Sequence, residues 1–232
     1  MKKMKFFILF IFLFIFIGTI PSAIALEQGA YVCRYESGAV NEAWSFIKHF
    51  SYEQYYWAYP FEFTTSDSTY IDNMDIAFFS GHGSNFRLTT YENWGDPVDF
   101  ASGDVSLGDL DLEIITIDTC STVPAPIDRP DWADPWWDVF HKLHQLLGFR
   151  TTGWYNGTVE DNYAKNLIAG QRFIDAWFNA ANSVRDGMYP GYCAVIWAYP
   201  QGSYAGAHTN TYYNMGSDPP YNLSIIAITY QY

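Results

Sequence analysis

The feature that most constrains the fold is a pair of short apolar runs, Ile76–Phe79 and Ile114–Ile117, within the stretch from Asp75 to Thr122. They are too short for helices, rich in β-branched and aromatic residues, and bounded by polar turns, so they read as buried strands. Each run ends in chemistry: Gly81-His82-Gly83 follows the first, Asp118-Thr119-Cys120 the second. In an open α/β sheet, reactive groups collect outside the carboxyl ends of the strands. If the two strands are parallel neighbours, His82 and Cys120 emerge side by side.

The rest of the chain supplies a sheet for them. Leu26–Glu36 reads as a strand and Ser37–Phe50 as an amphipathic helix, with Trp44 and Ile47 toward its buried side. Tyr52–Thr65 is aromatic and extended. Ser84–Asp111 reads as a surface excursion and Pro124–Pro135 as a loop. Trp136–Leu147 has helical spacing, with Gly148 to stop it, and Phe149–Tyr155 reads as a strand. Glu160–Val184 reads as two helices broken at Gly170, Tyr192–Tyr199 as a buried strand, and Leu223–Tyr230 as a closing strand. Strands alternating with helices predict an α/β fold, a mostly parallel sheet with helices on both faces.

The first 25 residues read as a cleaved leader. Lys2, Lys3 and Lys5 precede the unbroken apolar Phe6–Ile17, and Ala23-Ile24-Ala25 fits the small-x-small cleavage rule. Cleavage after Ala25 leaves a single domain over 26–232, secreted and without membrane contact. Removing the three leader lysines leaves 9 basic against 25 acidic side chains, a net charge of −16. Such a surface repels nucleic acid and anionic membranes and suits attraction of basic substrates.

Three cysteines make an odd number. Cys33 and Cys193, each on an expected strand, are candidates for a disulfide in an oxidising compartment, or for two buried thiols. Cys120 is left over as the candidate reactive thiol. A cysteine hydrolase needs a thiolate, a proton carrier and donors for an oxyanion. His82 can take the Cys120 proton and later protonate the leaving amine. Gly83 permits close backbone approach, and its N–H with that of Cys120 forms a candidate oxyanion site.

The segments SGHG (Ser80–Gly83) and DTCS (Asp118–Ser121), with 38 residues from histidine to cysteine, resemble those of the caspase-like (clan CD) cysteine peptidases. That group comprises caspases, metacaspases, legumains, gingipains and clostripains, and the metacaspase versions are the most similar. NLIAGQRFIDAWFNAA (Asn166–Ala181) resembles the L-x-x-G…A-x-x-x-A helix pair of bacterial members. GHG together with LH-x-LLGF is similar to an uncharacterised family of exported proteins. The resemblance implies a caspase-hemoglobinase-like fold and a His82/Cys120 dyad with no obligatory third residue. It implies no cofactor, and a peptide or protein substrate cleaved through a thioester. By position it also puts Asp118 in a pocket for Arg or Lys, with Ser80 and Ser121 beside it.

Two other readings stay open. In one, the chain is an inactive relative whose aromatic surface (19 Tyr, 9 Trp) and Ser84–Asp111 recognise a glycan or protein. In the other, His141 and His144, at i and i+3 of the expected helix, bind Zn²⁺ with Cys120 or His82 in a metal-dependent hydrolase. The i, i+4 pair usual for zinc is missing, so no metal site is assigned.

Overall fold

The computed structural model describes residues 26–33, 36–90, 97–153, 156–185, 191–200, 206–220 and 224–232; the expected leader, 1–25, lies outside them. In chain order the elements are β1 (Gln28–Val32), α1 (Ser37–Ile47), β2 (Glu53–Trp57), β3 (Ile76–Ser80), β4 (Gly83–Ser84), β5 (Arg87–Thr89), β6 (Pro97–Asp99), β7 (Ile114–Asp118), α2 (Trp136–Val139), β8 (Gln145–Phe149), α3 (Thr158–Ile168), α4 (Phe173–Asn182), β9 (Cys193–Pro200) and β10 (Ser224–Tyr230). Seven strands form the central sheet in the order β2-β1-β3-β7-β8-β9-β10, and β4-β5-β6 form a small second sheet. From β2 to β8 every pairing is parallel, and β9 alone runs against its neighbours. The α/β architecture with a mostly parallel sheet is therefore present.

Strands β1, β3, β7 and β8 are buried at every position, as parallel strands covered on both faces must be. Alternation sorts their side chains. Ala30, Val32, Ile76, Phe78 and Ile114 face α1, α3 and α4, where they meet Phe46, Tyr163 and Trp177. Tyr31, Ala77, Phe79, Ile115 and Ile117 face Phe63, Phe86, Phe100 and Trp136 on the other side. Helical segments thus lie on both faces but unequally. One face carries the three long helices; the other carries single-turn helices between 60 and 73, the small sheet and the four-residue α2. On α1 the buried stripe runs through Ala39, Ala43 and Phe46, which turns Trp44 out to solvent.

The expected helix over 136–147 is corrected. It stops after Val139, where Leu107 N–H donates to Val139 O (2.8 Å) and His141 N–H to Leu107 O (3.1 Å). His144 and Gln145 N–H groups then donate to Glu113 O (2.8 and 3.1 Å), which hands the chain to β7 as a new strand. The run QLLGF is apolar on consecutive positions because both its faces are covered, and such a run fits a buried strand as well as a helix. Gly148 is no helix stop. It lies mid-strand, where a β-carbon would meet Val123 Cγ2 at 2.6 Å and Ile117 O at 3.0 Å. Of the expected strand over 149–155, Phe149 is the last residue of β8, 150–153 are not in a strand, and 154–155 lie outside the described residues.

Of the two readings of Cys33 and Cys193, the disulfide is corrected and the buried thiols hold: the two are not joined to each other. Cys33 follows β1 and Cys193 opens β9, with β3, β7 and β8 between them. Four strand spacings put them roughly 19 Å apart, whereas a disulfide needs Cα atoms within about 7 Å. Cys33 Sγ instead donates to Thr90 O at 2.9 Å, and burial pushes the Cys193 thiol well above its ordinary range.

Candidate active site

The central pairing of β3 with β7 places the site. The register runs from Ile76↔Ile114 to Ser80↔Asp118, so His82 and Cys120 each lie two residues beyond the last paired residue. Gly81 N–H donates to Asp118 O at 3.3 Å and carries the pairing one step further. Thr89 N–H then fixes the His82 carbonyl at 2.9 Å. That bond makes His82 and Thr89 a hydrogen-bonded pair, so the next pair, Gly83↔Leu88, is a non-hydrogen-bonded one. Gly83 N–H consequently points away from β5.

The two segments pack directly on each other. A β-carbon at Gly83 would overlap the hydroxyls of Thr119 and Thr122, the residues that bracket Cys120 and Ser121. Gly83→Ala is therefore expected to cost about 1–3 kcal/mol of stability through overpacking. It should also slow alkylation of Cys120 by displacing the 119–122 turn; melting and mass-spectrometric labelling would measure both. Directly after Cys120 the chain turns sharply, with Ser121 at φ +56, a left-handed conformation uncommon outside glycine.

Cys120 is a half-buried free thiol. The His82 ring reaches Glu36, with Nε2 3.0 Å from Oε1 and both side chains about a quarter exposed (24% and 22%). Glu36 follows β1, the other neighbour of β3, so the carboxyl ends of three adjacent strands converge here. Beside them opens a cleft of about 650 Å³ lined by Gly83, Ser84, Phe86, Arg87, Ser121 and Arg129, among others. The Arg129 guanidinium lies 5.2 Å from the Phe86 ring centre and pairs with Asp131, while Arg87 pairs with Asp99.

Two of the expected substrate-pocket residues face the other way. Ser80 and Asp118 share the strand face of Phe78 and Thr116, which packs on the helices. Ser80 is fully buried and donates to Glu42 Oε2 at 2.7 Å. Asp118 is 4% exposed and grouped with Glu42 and Glu160. Its carboxyl cannot line a pocket for Arg or Lys, and Ser121 is the member of that expected trio that borders the cleft.

Glu36, Glu42 and Glu160 were not singled out from the sequence. Glu42 lies on the stripe of Ala39, Ala43 and Phe46, and Glu160 on that of Tyr163, Ala164 and Leu167. An acid inside an apolar stripe was the available signal. Glu36 carried only its position after the first strand.

The two expected zinc histidines lie at the opposite end of the sheet. His144 precedes β8, which runs parallel to β7, whereas Cys120 follows β7. A five-residue strand, roughly 16 Å, separates those ends. His141 pairs with Asp109 (2.8 Å), and buried His144 with Asn210 (3.0 Å). They cannot share a metal with His82 or Cys120, so these four residues do not form the zinc site of that reading.

At that amino end, burial, with Asp75 and Asp111 close by, pushes the Glu113 carboxyl up to about 8. The unfolded chain ionises it near ~4.3. The stability it contributes is complete below that value and disappears as pH rises toward 8. Glu113→Gln should flatten the fall in melting temperature between pH 5 and 9, leaving the variant the more stable at pH 9.

Among the described residues no helix is long and apolar enough to cross a membrane. No curated protein matches the sequence. Among solved structures, the chain is similar to a secreted C11 cysteine protease from Bacteroides thetaiotaomicron in complex with an irreversible peptide inhibitor. The identity is 12% and the TM-score 0.45, over 74% of this chain and 65% of that one. The family model described as Domain of unknown function (DUF6345) matches residues 24–227, and the protein belongs to that family.

Proposed function

We propose that the protein is a secreted cysteine-dependent peptidase or amide hydrolase of caspase-hemoglobinase-like fold. Residues 1–25 act as its leader and 26–232 as its one domain. The observation that carries this reading is the shared register of β3 and β7, which sets His82 and Cys120 at equal distances beyond adjacent parallel strands.

His82 takes the Cys120 proton, and the thiolate attacks the scissile carbonyl. The oxyanion is met by the N–H groups of Gly83 and Cys120. The tetrahedral intermediate collapses to a thioester as His82 gives its proton to the leaving amine, and water, deprotonated by His82, releases the acid. Glu36 keeps the imidazole oriented, its Oε1 3.0 Å from Nε2. The substrate is a peptide lying along the cleft between Gly83 and Arg129. With Asp118 buried, the preference for basic residues loses the side chain the motif assigned to it, and peptides without regard to charge are the substrates retained.

Iodoacetamide labelling of the folded protein, located by mass spectrometry, tests this. Cys120 should react far faster than buried Cys33 and Cys193, and His82→Ala should slow it by about tenfold or more. If His82→Ala leaves the rate unchanged, the dyad is absent. The exposed aromatics Tyr52, Trp57 and Phe61 then favour the reading of an inactive relative that binds a glycan or protein.

A further inference from the structure

Glu42 of α1, Asp118 at the end of β7 and Glu160 in the first turn of α3 meet on the helix side of the sheet, with carboxylate oxygens within 4.8 Å of one another. Glu42 and Glu160 are completely buried and Asp118 nearly so. One oxygen of the group, Glu42 Oε2, accepts from Ser80. Glu42 Oε1, Asp118 Oδ2 and both oxygens of Glu160 are buried with no N–H or hydroxyl donor among the described residues, and Asp118 and Glu160 lie close enough to share a proton. None of the ion pairs formed among those residues involves the three acids. Three carboxyl groups this close in a dry interior are stable only if they take up protons or meet a positive charge.

We propose that Glu42, Asp118 and Glu160 bind one hard divalent cation, calcium by preference. The donor set is all oxygen, without sulfur or imidazole, which suits calcium or magnesium and not zinc or copper. Three carboxylates offer six oxygens, the lower limit of calcium coordination. Ligand oxygens around one calcium lie no more than about 4.6–5.2 Å apart, a limit this group meets. Magnesium keeps several waters, for which a site so deeply buried has little room. Burial pushes all three carboxyls upward, with the neighbouring acids adding to the effect on Glu42 and Asp118, so in the absence of metal the group holds protons instead. The bound ion ties α1 and α3 to the centre of the sheet. This site stands independently of the peptidase reading.

Metal analysis of the full protein purified without chelator should find about one calcium per chain. Removal by EGTA should lower the melting temperature by several degrees, and CaCl₂, but not NaCl at matched ionic strength, should restore it saturably. Asp118→Asn and Glu160→Gln should lose both the bound ion and the response, whereas Glu113→Gln, in the half-buried group with Asp75 and Asp111 at the other end of the sheet, should keep both. A metal-free protein whose melting ignores calcium would overturn the proposal. So would a response removed by Glu113→Gln, which would move the ion to the group of Asp75, Asp111 and Glu113. Should the core variants fail to fold, the metal content and calcium response of the wild type and of Glu113→Gln decide alone.

Discussion

Cys120→Ala is expected to remove peptide hydrolysis, a fall on the order of 10⁴-fold in turnover, with little change in melting temperature. The side chain lost is one sulfur atom at a half-buried turn position. It leaves no large cavity, so the two readouts separate. His82→Ala should lose about 10²–10⁴-fold, the contribution of a positioned proton carrier. Glu36→Gln should lose less, because the dyad keeps its nucleophile and its proton carrier and gives up only the orienting charge. The pattern across the three variants is diagnostic. A fall equal in all three would mean that the turn had collapsed, and no fall in Cys120→Ala would end the peptidase reading. A peptide library with a fluorogenic leaving group is the assay, with thermal melts run in parallel.

Trp177→Ala is expected to give the largest loss of stability of any single change in the helix layer. Trp177 is fully buried on α4, with its ring 4.9 Å from Phe149 of β8 and 5.1 Å from Tyr163 of α3. Its indole N–H donates to Gly148 O at 3.2 Å. Truncation removes a large apolar surface, opens a cavity between three elements and takes a donor from Gly148. Substitutions of this kind cost about 3–5 kcal/mol, and a domain of this size shifts by about 2–4 °C for each kcal/mol. A drop in melting temperature on the order of 10 °C follows. Trp137→Ala is the control: that residue is 47% exposed, and its loss should stay within about 0.5 kcal/mol. Equal effects of the two substitutions would refute the assignment of the core.

Much of this was legible because the sheet's centre is made of short, saturated apolar runs. IAFF and IITI could only be strands, and the residues that follow them had to emerge together if the strands paired in parallel. The two-helix reading of 160–184 held because its apolar spacing was strictly helical on both sides of Gly170, which takes φ +83. QLLGF was misread because a strand buried on both faces has no alternation to distinguish it from part of a helix. Asp118 was misread because motif position does not say which face of a strand a side chain occupies. Strand parity does: Asp118 shares the face of Ile114 and Thr116, which meets the helices. The disulfide failed for a topological reason, since the order of strands across a sheet is not written in the order of residues along a chain.

The register of β3 against β7 has a consequence for synthesis. The two halves of the His82/Cys120 site are joined by no local contact; a 33-residue connection, 81–113, must close before β7 can pair. Non-local parallel pairing of this kind is a slow event in folding. A chain emerging from the ribosome therefore carries its histidine for some time with no thiol opposite it. Under the proposed function, the nucleophile and its proton carrier are assembled only once β7 has paired with β3.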